Sequence, residues 1–131
     1  MITTTKLNIV LDIGKTNVKL IFVDSKNTTI CSYNTKQKSI NQYGIETLNS
    51  KSIFEWTIRK INLVEKKYKL DKFVCTAHGT SIALIDHNNQ EILACTDYEY
   101  KYDELMDNYK KIAPRFDESF TPFLETGLNI G

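Results

Sequence analysis

With 131 residues, 41% of them hydrophobic, the chain has room for one domain at most and a modest core. Its 17 basic and 16 acidic side chains leave a formal charge of +1 and are mixed along the sequence, so no basic face is offered to nucleic acid or to an anionic membrane. Asp12 interrupts the only long apolar run near the N-terminus, which argues against a signal peptide or membrane span. Cys31, Cys75 and Cys95 are odd in number and unclustered in apolar, strand-like contexts, and are expected as buried reduced thiols of a cytoplasmic protein.

The first element is the run Leu7-Asn8-Ile9-Val10-Leu11-Asp12-Ile13. Period-2 alternation puts Leu7, Ile9, Leu11 and Ile13 on one face of a strand and Asn8, Val10 and Asp12 on the other. Asp12 therefore emerges at the strand's end. A turn, Gly14-Lys15-Thr16-Asn17, leads into a second apolar strand, Val18-Lys19-Leu20-Ile21-Phe22-Val23-Asp24. Gly14 allows a positive φ and a close backbone approach, so the amides after it could form an anion-binding nest. Lys15 adds a compact positive charge and Thr16 a hydroxyl, while Asp12 could orient Mg2+ through water. These are parts of an ATP phosphate site, but the same four residues also make a serviceable polar hairpin turn, and on their own they support both readings equally. A Walker loop is excluded, because G-x-x-x-x-G-K-[ST] is absent and the turn enters a strand instead of a helix.

A third strand is expected over 28–36, with Ile30 and Ser32 alternating against Cys31 and Tyr33 and a polar end that suits a sheet edge. Ser52-Ile53-Phe54-Glu55 fits a capping box, and Phe54, Ile58, Ile61, Val64 and Tyr68 recur at helical spacing, predicting about four turns packed on the sheet. Lys66, Lys67 and Lys69 then suit the negative pole of that helix. The run 72–76 should return as a strand parallel to the first by a right-handed crossover, bringing His78-Gly79 toward Asp12 on the rim where open α/β sheets bind ligands. Segments 81–86 and 90–96, joined by Asp86-His87-Asn88-Asn89, predict a hairpin. Asp103 can cap a short helix carrying Leu105, Met106, Tyr109 and Ile112, which Pro114 ends. His87 belongs to a polar turn, whereas His78 at a strand end is either a ligand-facing side chain or a satisfied buried one.

The Asp12 to Asn17 turn resembles the first phosphate motif of the actin, heat-shock ATPase and sugar-kinase superfamily, an opening that type III pantothenate kinases share. Two later stretches narrow the resemblance. Thr76-Ala77-His78-Gly79-Thr80-Ser81-Ile82-Ala83-Leu84-Ile85-Asp86 is similar to the segment of FGGY carbohydrate kinases in which a strand ends in His-Gly before a hairpin closing on Asp. Asp97-Tyr98-Glu99-Tyr100 resembles the acidic substrate-side motif that follows, and residues 121–131 the loop beyond it.

The resemblance implies an α/β fold of the ribonuclease H-like, actin-like ATPase type. It would have a mixed sheet with three antiparallel N-terminal strands, a crossover helix, a parallel strand and then a hairpin. Residues 1–131 would be part of the first of two actin-like domains, an N-terminal fragment with one edge and one apolar face of its sheet uncovered, and so prone to aggregate alone. The implied cofactors are ATP and Mg2+. Asp12, Gly14, Lys15, Thr16, Asn17 and Lys19 would face the phosphates, with Asp12 the metal-side carboxylate. Lys15 and Asn17 stand where many relatives carry Thr or Ser, and both keep a donor. His78 and Gly79 would line the sugar pocket, with Asp97 and Tyr98 beside them, although core packing is open to Tyr98. The expected reaction is transfer of the ATP γ-phosphoryl group to a sugar hydroxyl, with the catalytic base outside this chain and no turnover by these residues alone. The expected partners are a sugar, and the remainder of a kinase or a second copy. A standalone nucleotide- or sugar-binding module is the alternative.

Overall fold

The computed structural model of the protein describes residues 5–42, 44–79, 83–93, 95–97, 100 and 103–120. They fall into two compact units, one from residues 1–38 and 49–79, the other from 39–48 and 80–131.

The first unit is built on a four-stranded mixed sheet. Strands β1 (Lys6–Ile13), β2 (Asn17–Val23) and β3 (Thr29–Lys36) form an antiparallel meander. After helix α1 (Ser50–Val64), the last strand of this sheet, Lys69–Ala77, pairs parallel with β1, giving the order β3-β2-β1 and then this strand. The alternation read from β1 holds, since Leu7, Ile9 and Leu11 are buried, and across to β2 Ile9 pairs with buried Phe22, Leu11 with buried Leu20 and half-buried Ile13 with buried Val18. With α1's Trp56 and Val64 these side chains form the core, and each buried aliphatic or aromatic side chain contributes about 1.5–3 kcal/mol relative to exposure. Tyr33 extends this core, edge-on to Phe22 at 6.2 Å between centroids and beneath the Lys60 ammonium, 4.9 Å from its ring. β3 is an edge strand with no fully buried residue, as its polar end implied.

Helix α1 starts earlier than the capping-box reading has it. Asn49 is the N-cap, its Oδ1 accepting from the Ser52 N–H at 3.0 Å, which satisfies one of the amides a helix start leaves orphaned. The packed face is also turned. Phe54 is 66% exposed and Ile58 39%, while Ile53, Trp56, Thr57, Ile61, Val64 and Tyr68 are buried or half-buried, a stripe offset from the predicted one at its N-terminal end. Thr57 sits in this stripe at no polar cost, since its hydroxyl donates to the Ile53 carbonyl at 2.8 Å. The helix closes at Val64, so Lys66, Lys67 and Lys69 lie beyond its last turn. The parallel strand runs three residues longer at its start than 72–76, and most of it is exposed, including Phe73, Val74 and Cys75. Cys75 is thus not the buried thiol expected. Cys31 is half-buried, and burial pushes its thiol pKa up.

The second unit opens with a hairpin that the sequence reading did not contain: β4 (Ser39–Gln42) against β5 (Ile45–Leu48). Its turn uses Gly44 at φ 82°, whose N–H is held by the Asn41 Oδ1 at 3.1 Å. With the parallel strand above labelled β6, the expected second hairpin follows as β7 (Leu84–Ile85) and β8 (Glu91–Leu93). The Asp86 carboxylate accepts from the N–H groups of Asn88 and Gln90, both at 2.8 Å, making Asp86 a turn-builder. Beyond β8 the chain crosses to β5, where Leu48 N–H donates to the Cys95 carbonyl at 2.7 Å and Thr47 bridges Thr96. Helices α2 (Asp103–Ile112) and α3 (Phe116–Ser119) flank Pro114.

Candidate functional site

Hydrogen-bonded register decides which side chains share the rim of the first unit. Asp12 stands opposite Lys19 on β2 and beside Thr76 on β6, and Lys19 in turn stands opposite Asn34 on β3. Hydroxyl, carboxylate, ammonium and amide therefore form one polar row across four strands, neighbours lying about 4.5–5.5 Å apart between Cβ atoms. Asp12 is half-buried, and the other three are exposed.

Above that row is the turn. Gly14 N–H donates to the Asn17 carbonyl at 2.9 Å, closing the loop on itself. A Cβ at Gly14 would lie 3.0 Å from that same oxygen, a tight approach that the turn has to yield to by a few tenths of an ångström; among the described glycines the positive φ belongs to Gly44 instead. Because Gly14's own N–H is spent inside the turn, an anion nest here would begin at Lys15 or later. Lys15 is half-buried, while Thr16 and Asn17 are exposed. On the β3 side Gln37 N–H donates to the Thr16 carbonyl at 2.9 Å, and on the β6 side His78 N–H donates to the Ile13 carbonyl at 3.3 Å. The turn is thus pinned from both flanks.

His78 is half-buried with its Nδ1 3.2 Å from the Gly79 carbonyl, and Gly79 is exposed. The structure accordingly brings Asp12, Gly14, Lys15, Thr16, Asn17, Lys19, His78 and Gly79 to one edge of one unit. Asp97 belongs to the second unit. It is 4% exposed, its Oδ2 accepts from the Ser39 hydroxyl at 3.2 Å, its N–H donates to the Glu46 carbonyl at 3.0 Å, and its carbonyl accepts from Tyr100 N–H at 2.9 Å. Tyr98, Glu99, residues 80–82 and 121–131 lie outside the described residues.

Among the described residues no three His, Cys, Asp or Glu side chains gather as a metal cage. A single half-buried carboxylate beside a turn of donors fits Mg2+, which keeps several waters and takes the rest of its shell from phosphate oxygens. Asn34, Thr76 and Gln37 were not singled out from sequence. Their signal was the strand register, which puts the first two level with Asp12 and Lys19.

No family model matches the sequence, and no curated protein matches it. Solved structures do. A carbohydrate kinase from Novosphingobium aromaticivorans superposes with a TM-score of 0.76 at 22% identity, over 87% of this chain and 24% of that one. Gluconate kinase from Lactobacillus acidophilus gives 0.63 at 15%, over 83% and 23%. Plasmodium falciparum glycerol kinase, solved with ADP, gives 0.62 at 13%, over 86% and 24%. The chain has the α/β, actin-like fold found in carbohydrate kinases. It spans about a quarter of the length of these structures.

Proposed function

We propose that this rim is the phosphate side of an ATP-dependent carbohydrate kinase site. The observation that carries the reading is the bond from His78 N–H to the Ile13 carbonyl, which seats a His-Gly pair directly beside the Asp-x-Gly-Lys-Thr-Asn turn. Donors for phosphate and a candidate sugar contact thereby share one sheet edge. Lys15 and Lys19 would offset charge on the phosphates, the Thr16 hydroxyl and Asn17 amide would donate to their oxygens, and Asp12 would orient Mg2+ through coordinated water. Bound there, ATP would supply the phosphoryl group and Mg2+ would offset charge on its oxygens. His78 and Gly79 would border the sugar, and the cytoplasm would be the compartment of an ATP-using enzyme. No rim residue is assigned as the base that takes the hydroxyl proton.

Structural neighbours that act as carbohydrate, gluconate and glycerol kinases favour this reading over a pantothenate kinase. A standalone binding module using the same rim would bind nucleotide or sugar without transfer. Titration of the purified chain with ADP, with and without Mg2+, tests the proposal. We expect Mg2+-dependent binding that Lys15→Ala weakens about 10-fold or more, as loss of a charge-assisted contact of ~1.5–3 kcal/mol requires. Absence of binding at millimolar ADP overturns it.

A further inference from the structure

One side chain at this rim is out of keeping with its surroundings. Gln37 follows β3 directly, its main-chain N–H fixed to the Thr16 carbonyl at 2.9 Å, yet both polar atoms of its side chain, Oε1 and Nε2, are buried without a hydrogen-bond partner. Native proteins satisfy most buried polar side-chain atoms, and a group with neither donor nor acceptor met is a reservoir of unfavourable energy that calls for a cause. The residue as a whole is half-buried, with its amide on the inward side. A partner that arrives only with a ligand resolves the conflict.

We propose that Gln37 is a further ligand-binding residue of the phosphate site, its amide withdrawn in the unliganded protein and turned outward when a hydrated Mg2+–phosphate group occupies the turn. This rests on the reading of the rim given above. A primary amide offers a donor and an acceptor side by side, and a metal-bound phosphate offers the complement: a phosphate oxygen accepts from Nε2 while a metal-bound water donates to Oε1. A bare phosphate oxygen would satisfy only Nε2. The movement needs no backbone change, because the main-chain bond to Thr16 stays in place while the side-chain torsions of glutamine carry the amide across. The inference makes Gln37 the β3-side counterpart of His78, one on each flank of the turn.

Thermal melts of the nucleotide-free chain, paired with ADP titrations in Mg2+, test it on wild type and Gln37→Met, a substitution of similar volume without the amide. We expect the variant to melt about 4 °C higher or more, because an unsatisfied polar group is gone, and to bind Mg2+–ADP about 10-fold more weakly. The side-chain NH2 resonances of wild-type Gln37 should shift on adding Mg2+–ADP and stay put on adding ADP with a chelator. A structural amide served by an interior water gives the opposite pattern: a lower melting temperature, unchanged ADP affinity and unmoved resonances, and that overturns the inference. Should Gln37→Met not fold, the wild-type resonances decide alone. A wild type that binds no ADP defeats the site reading itself, whereas a wild type that binds and a variant that binds equally defeat only the role of Gln37.

Discussion

The Asp97 carboxylate holds the hydroxyl of Ser39 at 3.2 Å across 58 residues of sequence, inside a unit where Asp97 is 4% exposed. Its main chain is tied in as well, to Glu46 and Tyr100. A residue set apart in the sequence as a sugar contact is therefore also a fastener between the chain after β8 and the β4–β5 hairpin. Asp97→Ala should cost about 1 kcal/mol in chemical denaturation, since it removes the bond to the Ser39 hydroxyl, while Asp97→Asn, which keeps an acceptor, should cost less. If Asp97→Ala unfolds at the wild-type midpoint, the fastening role is wrong and only a ligand role remains.

The corrected face of α1 makes a second prediction. Phe54 and Trp56 are two residues apart and both large, yet one is 66% exposed and the other 9%. Phe54→Ser should change stability by no more than about 0.5 kcal/mol, whereas Trp56→Ala should lose about 3–5 kcal/mol through its cavity in the β1–β2 core. Equal costs would restore the stripe that begins at Phe54.

These two residues also show where the sequence was ambiguous. The helix carries enough apolar residues to draw two overlapping stripes, one from Phe54 and one from Ile53 and Trp56, and both end in Ile61, Val64 and Tyr68. Only the sheet beneath it, with Phe22 and Leu20 presented to that side, selects between them. The start of the helix was read from Ser52 alone, whereas Asn49, three residues earlier, takes the cap by accepting from the Ser52 N–H. The β4–β5 hairpin was missed because Ser39–Gln42 and Ile45–Leu48 are four residues each and half polar, too short for alternation to register; Gly44 was its sole turn signal. By contrast β1, β2 and the turn between them were legible, since over eight and seven residues the buried positions recur every second residue and leave one register open. The rim row of Thr76 and Asn34 was hidden for a different reason: their meaning depends on which strands pair.

The exposed strand β6 carries a third prediction. It ends the sheet among the described residues and presents Phe73 and Val74, each about half exposed. Such an edge invites another strand. Val74→Lys should leave the melting temperature within a few degrees and reduce concentration-dependent association in sedimentation. Association unchanged by a charge at the edge would direct attention to other exposed apolar residues, such as Leu84, Ile85 and Ile92.

The loop between β2 and β3 is sensitive to acid. Asp24 Oδ1 accepts from the N–H groups of Thr28 and Lys26, both at 2.8 Å, and these bonds, that from Thr28 foremost, hold its pKa below the usual carboxylate value. A depressed folded-state pKa contributes stability that is present above the unfolded value and is lost as pH falls through the folded one. The turn should therefore loosen only in acid, below the ordinary carboxylate range. Amide exchange at Lys26 and Thr28 should rise there in the wild type and stay flat in Asp24→Asn, which cannot titrate. A flat wild-type profile would sink the argument.

Gly14 joins fold to site, because the same oxygen that crowds a side chain there closes the turn. A methyl at Gly14 would meet the Asn17 carbonyl at 3.0 Å, the oxygen that Gly14 N–H already holds at 2.9 Å. The strain has one outlet, to push Asn17 and the turn away from β1. Since Asn17 starts β2 and the next residue, Val18, is fully buried, the core resists that displacement while the loop gives way. Gly14→Ala should thus lose about 1 kcal/mol of stability yet weaken Mg2+–ADP binding about 10-fold, a disproportion that marks the turn as binding machinery instead of a simple reversal. If stability falls and ADP affinity does not, the Gly14 to Asn17 turn is only the hairpin its polar residues also allow.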